Sequence, residues 1–184
     1  MSRIPLVSDQ DATGSVREIF GALNKGLGLV PNMTRAMANS PAVLQAFAQF
    51  NSAMGASKLP GALREQIAVL TAESNACAYC LSAHSALGKL AGLSPAQLDA
   101  ARNADASDPK TKAALVFAQS ILDARGGVSD SDVRAVRSAG YTDGQIAEIV
   151  AVVALNIFTN FINRAFDVEI DFPRVEPRNH ARAR

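Results

Sequence analysis

The only two cysteines of this chain stand close together, as Cys77-Ala78-Tyr79-Cys80, and His84 follows the second of them by four positions. On a helix Cys77, Cys80 and His84 fall at i, i+3 and i+7 and share one face. Two thiols one turn apart can close an intramolecular disulfide when their Cβ atoms approach. A histidine one turn further along can accept or deliver the proton that thiolate chemistry requires. If the pair sits in the first turn of a helix, unpaired backbone N–H groups and the positive end of the dipole favour the thiolate. The pattern predicts a redox centre.

Other readings use the same residues. Buried, inert cysteines would leave His84 without a partner in the chemistry. A zinc site could take Cys77, Cys80, His84 and a fourth ligand such as Glu65, although no second CxxC or HxxxH completes the set. Glu65 is also a candidate base for a thiol. It lies on an apolar helical stripe with Ala68, Val69 and Ala72, which predicts partial burial and a raised proton affinity. The bland alternative pairs Glu65 with Arg64 or Lys58 at the surface, and Glu73 is a weaker substitute for it. On one continuous helix Glu65 and Cys77 would lie about 18 Å apart, so they meet only if the chain turns at Ser74-Asn75-Ala76.

The elements that must position these groups read as helices throughout. After an extended arm over 1–11, a helix starts near Thr13 or Ser15, with Val16, Ile19, Phe20 and Leu23 on one face, and stops at Gly26 and Gly28. Pro31 opens a short helix ending near Asn39-Ser40, and Pro41 opens another with Leu44, Phe47, Ala48 and Met54 facing inward. A largely apolar helix over about Ala62–Glu73 precedes the break, and the cysteine helix runs from near Cys77 to Ala91, with Gly92 as its stop. Ser94-Pro95-Ala96-Gln97 is a capping-box start. Asp108-Pro109 starts a helix whose inward residues are predicted as Ala113, Leu115, Val116, Ala118, Ile121 and Leu122. Ser129 caps the next, to Ser138, and Thr142 starts the longest, to about Phe166. On that last helix Asn156, Asn160 and Asn163 fall at i, i+4 and i+7. They predict either a satisfied buried network or the polar wall of a pocket. His180 lies in a basic tail over 174–184, where it is expected to be solvated or packed on a neighbouring subunit.

No stretch alternates with period two between turn signals, so the fold class is all-α, in one domain over 1–184. The 184 residues suffice for a sizeable core, and 48% of them are apolar. A formal charge of +1 gives no reason to expect nucleic acid or a membrane surface as partner. The apolar run Ile149–Phe158 is too short to span a bilayer and is broken by Asn156. The opening residues lack an apolar signal core, so a cytoplasmic, reducing location is expected. No residue pattern asks for a cofactor.

Glu65, Cys77-x-Tyr79-Cys80 and x-x-x-His84 together resemble the alkyl hydroperoxidase D-like branch of the carboxymuconolactone decarboxylase superfamily, and in particular its peroxidase-related members with a CxYC centre. Ala154–Phe161 and Glu169-Ile170-Asp171-Phe172-Pro173 resemble that branch as well. The resemblance implies an all-helical subunit assembling as a trimer or hexamer, and a peroxidase cycling between dithiol and disulfide. It implies that Cys80 is the peroxidatic thiol, Cys77 the resolving one, and Glu65 with His84 the proton relay. The implied reductant is an external dithiol or a lipoylated or other thiol protein. The best-known members carry a histidine where this chain has Tyr79. A phenol donates a hydrogen bond but is a poor base near neutral pH, so an altered relay and a weaker or redirected activity are expected.

Overall fold

The computed structural model describes residues 1–178, and among them there are nine helices and no strand. They are α1 (Gly14–Leu27), α2 (Asn32–Met37), α3 (Pro41–Gly55), α4 (Gly61–Ser74), α5 (Ala78–Leu90), α6 (Pro95–Ala101), α7 (Pro109–Asp123), α8 (Asp130–Ser138) and α9 (Asp143–Phe166). His180 and the end of the basic tail lie outside the described residues.

Local chemistry sets the boundaries. Capping boxes open α6 at Ser94/Gln97, α8 at Ser129/Asp132 and α9 at Thr142/Gln145, each closing two backbone N–H groups that the helix leaves unpaired. Gly28 ends α1 in the left-handed region at φ 76°, and its N–H donates to the Asn24 carbonyl.

Helix α4 is the axis of the molecule. Ile67, Val69, Leu70 and Ala72 are fully buried, and α5, α6, α7 and α9 pack around it. A second apolar cluster joins α1, α2 and α3 through Val16, Phe20, Met37, Leu44 and Phe47, with Leu155 of α9 closing it from the other side. Helix α9 is long and apolar enough to cross a bilayer by composition alone. Its face from Ile146 through Ile149, Val153 and Asn160 is nonetheless buried against the other helices.

Between α4 and α5 the chain reverses in three residues. Ala76 takes a left-handed conformation at φ 49°, and the Cys77 N–H donates back to the Ala72 carbonyl at 2.9 Å. This is the turn expected at Ser74-Asn75-Ala76. It makes α4 and α5 antiparallel neighbours, while Gly88 of α5 makes room for α6: a Cβ there would stand 2.7 Å from Leu98 Cδ2 and 3.3 Å from Leu93 Cδ1.

One face was mis-assigned from the sequence. Val116 is 47% exposed, and Ala114 and Phe117 are buried in its place. The run Ala113–Ala118 is apolar without a break, so periodicity does not fix its rotation; packing against α4, α8 and α9 does. The chain ends also dock. The Arg3 N–H donates to the Phe166 carbonyl, Val175 N–H to Ser82 Oγ and Arg178 N–H to Glu73 Oε1.

Candidate active site

The α4–α5 hairpin carries the site. Cys77 is the N-cap of α5, and its sulfur accepts the Cys80 N–H at 3.3 Å. That is the first-turn placement expected to favour a thiolate. Cys77 and Cys80 form a disulfide, with their Cα atoms 5.3 Å apart.

Antiparallel packing then brings Glu65 to His84. Glu65 Oε2 and His84 Nδ1 are 2.8 Å apart, with both side chains about three-quarters buried. Glu65 therefore pairs neither with Arg64 nor with Lys58. A carboxylate on Nδ1 fixes the ring and its tautomer, leaving Nε2 as the nitrogen that exchanges a proton. Glu73 serves elsewhere: 5% exposed, it accepts from Arg102 Nε and from the Arg178 backbone N–H, both at 2.7 Å, and ties the C-terminal segment to α4.

Cys80, His84 and Glu65 line one cavity of about 340 Å³. Its walls are apolar, from Leu23, Met33, Phe47, Met54, Leu87 and Phe172, with Asn156, Thr159 and Asn163 of α9 along one side. Cys77 does not line this cavity; it borders a separate cleft with Asp167 and Arg174. The two cysteines thus border different clefts, with Tyr79 and Asn163 lining both.

The three asparagines of α9 divide both expected roles between them. Asn163 Nδ2 donates to Cys80 Sγ at 3.3 Å, which stabilises negative charge on that sulfur. Asn160 Oδ1 accepts from Asn75 Nδ2 at 2.9 Å and holds the α4–α5 turn. Asn156 Nδ2 bonds the Val152 carbonyl within its own helix. Among the described residues Asn163 Oδ1 is buried without a hydrogen-bond partner, an open acceptor on the side chain that contacts the sulfur.

Tyr79 lines the same cavity but faces structural partners. It is 5% exposed, its oxygen accepts the Met33 N–H at 3.1 Å, and Phe172 meets its ring edge-on at 5.9 Å. Burial pushes the phenol far above its usual range, with the Asp171 carboxylate adding to the effect, so it stays protonated. Arg64, which the sequence suggested only as a partner for Glu65, also lines the cavity. Among the described residues no three His, Cys, Asp or Glu side chains gather as a metal-holding group.

Residues 41–124 match the carboxymuconolactone decarboxylase family. The fold matches an alkylhydroperoxidase AhpD core, an uncharacterized peroxidase-related protein from Ralstonia eutropha, with a TM-score of 0.85 and 26% identity over 92% of each chain. An uncharacterized peroxidase-related protein from Silicibacter sp. matches with a TM-score of 0.79 and 26% identity over 91% of each chain. A cysteine-to-alanine variant of the debrominase Bmp8, in complex with 2,3,4-tribromopyrrole, matches with a TM-score of 0.79 and 24% identity over 93% of this chain and 94% of that one. No curated protein matches the chain.

Proposed function

We propose that this chain, a member of the carboxymuconolactone decarboxylase superfamily with the alkyl hydroperoxidase D-like fold, is a thiol-dependent peroxidase that reduces organic hydroperoxides or hydrogen peroxide through a Cys77–Cys80 disulfide. The observation that supports this reading is the convergence of Cys80, its Asn163 donor and the His84–Glu65 pair on one apolar cavity, with Cys77 bonded behind. The Cys80 thiolate attacks the O–O bond, the sulfur takes one oxygen, and the alkoxide leaves with a proton from His84. Cys77 then displaces that oxygen as water, closing the disulfide. An external dithiol, of the lipoylated or protein-thiol type, restores both thiols by exchange. Tyr79 in this scheme shapes the cavity and moves no proton, which replaces the altered relay expected from the sequence. We further assign the working form to a cytoplasmic homo-oligomer, a trimer or hexamer.

The test is stopped-flow oxidation of the reduced protein by cumene hydroperoxide and hydrogen peroxide, comparing wild type with Cys77→Ser and Cys80→Ser and trapping sulfenic acid with dimedone. Cys77→Ser is expected to accumulate the sulfenic acid, and Cys80→Ser to be inert. Oxidation no faster than that of free cysteine would overturn the peroxidase reading. Bromide release from a brominated pyrrole by the reduced protein would redirect it to dehalogenation, since a structural neighbour is a debrominase.

A further inference from the structure

Three titratable side chains line the cavity: Glu65 and His84, which are hydrogen-bonded to each other, and Arg64. Arg64 Nη1 donates to the Leu59 carbonyl at 2.7 Å and lies 3.5 Å from Ser57 Oγ. Among the described residues it has no ion-pair partner. Its Nη2 and Nε make no hydrogen bond among the described groups, so the three N–H donors on these two nitrogens are uncommitted. A half-buried guanidinium in a largely apolar wall has lost part of its hydration without an anion in return, and a planar fork of donors fits a carboxylate in two parallel bonds.

Position adds to charge. Helices α4 and α5 run antiparallel, so the level of Cys80 lies about one helical turn, roughly 6 Å, from the level of His84 and Glu65. Arg64 follows Glu65 in the direction leading further from the sulfur. The cavity thus has a reactive thiol toward one end, an unpaired cation toward the other, and Leu87, Met54 and Phe47 among its apolar walls.

We propose that Arg64 selects the substrate by its anionic end: an organic hydroperoxide with an apolar body, its peroxide at Cys80 and a carboxylate held by the Arg64 guanidinium. This rests on the peroxidase reading for the reaction, but the carboxylate site stands on Arg64 and the cavity alone. Binding therefore tests it separately from turnover.

Calorimetry on the oxidised protein compares para-isopropylbenzoate with uncharged isopropylbenzyl alcohol. Wild type is expected to bind the carboxylate about tenfold or more tightly, as one charge-assisted bidentate contact implies. Arg64→Gln is expected to abolish that preference and Arg64→Lys to keep part of it. In turnover, the ratio of kcat/KM for para-carboxycumene hydroperoxide to that for cumene hydroperoxide falls about tenfold in Arg64→Gln, carried by KM. In wild type the KM of the carboxylated substrate rises with added salt and that of the neutral one does not. This last arm needs no variant, so a folding defect cannot mask the answer. Equal affinity of wild type for the two ligands, or a preference unchanged in Arg64→Gln, overturns the proposal. A preserved binding preference in a protein that consumes no peroxide would sink the peroxidase reading and leave the carboxylate site standing.

Discussion

His84 enters the cavity with Nδ1 already committed to Glu65, which decides what each residue contributes. Removing the imidazole in His84→Gln takes away the proton donor to the leaving alkoxide, and positioned general acids are worth on the order of 10²- to 10⁴-fold. Glu65→Gln keeps a hydrogen-bond acceptor for Nδ1 but loses the charge that supports an imidazolium. A smaller loss is expected, about tenfold to a hundredfold, by the same reasoning. The measurement is the rate of peroxide-driven disulfide formation in each variant, with dimedone reporting any sulfenic acid left unresolved. If His84→Gln reacts as fast as wild type, the proton comes from elsewhere and the pair is structural. Asn163 acts at the other side of the same sulfur. Its contact was foreseen only as the spacing of three amides on α9, because a single donor to sulfur leaves no mark in sequence beyond a polar residue in an apolar helix.

At the scale of elements, legibility followed the strength of local signals. Ser94 and Thr142 announced their helices because a capping box is written in adjacent residues, and the α4–α5 reversal was legible in Ser74-Asn75-Ala76. The Glu65–His84 pair was legible only through the family resemblance, and that one turn is what brings the two side chains together across α4 and α5. Val116 failed because six apolar residues in a row carry no phase. Tyr79 was legible in part: residue type said that it was a poor base, and only the fold places Met33 and Asp171 around its hydroxyl. Helix α9 shows what remains after the core is filled. Ala147, Val150, Ala154, Ile157 and Phe161 follow a 3-4-3-4 spacing on its outer face, with Val150 43% and Phe161 57% exposed. That is the seam spacing of helices that pack on one another, and it supports the proposed homo-oligomer. Phe161→Glu is expected to shift the light-scattering mass from a multiple of 19.3 kDa toward a single chain, with the helical signal intact. A wild-type protein that scatters as one chain, or a variant that assembles normally, would rule this seam out.

For the whole molecule the two tyrosines report how cooperatively it holds together. Tyr79 and Tyr141 are 5% and 4% exposed, at opposite ends of the helical array, one under α2 and the C-terminal segment and the other before α9. Burial raises the proton affinity of both phenols; Asp171 adds to it at Tyr79 and Asp108 at Tyr141. A phenol that holds its proton more tightly folded than unfolded contributes stability that is fully present below the unfolded value of about 10. That stability is lost as pH rises beyond it toward the raised folded value. The native protein is therefore expected to show little tyrosinate absorbance at pH 10, and then to ionise both tyrosines together as the helical circular dichroism collapses. Tyr79→Phe should lower stability near neutral pH by about 1 kcal/mol, through the orphaned Met33 N–H. Its stability should then fall less steeply above pH 10, so that the two proteins converge in alkali. If one tyrosine ionises near pH 10 while the dichroism is still native, that phenol is not sealed in the fold. Were that phenol Tyr79, the wall it forms beside Cys80 would open to water well before the helices separate.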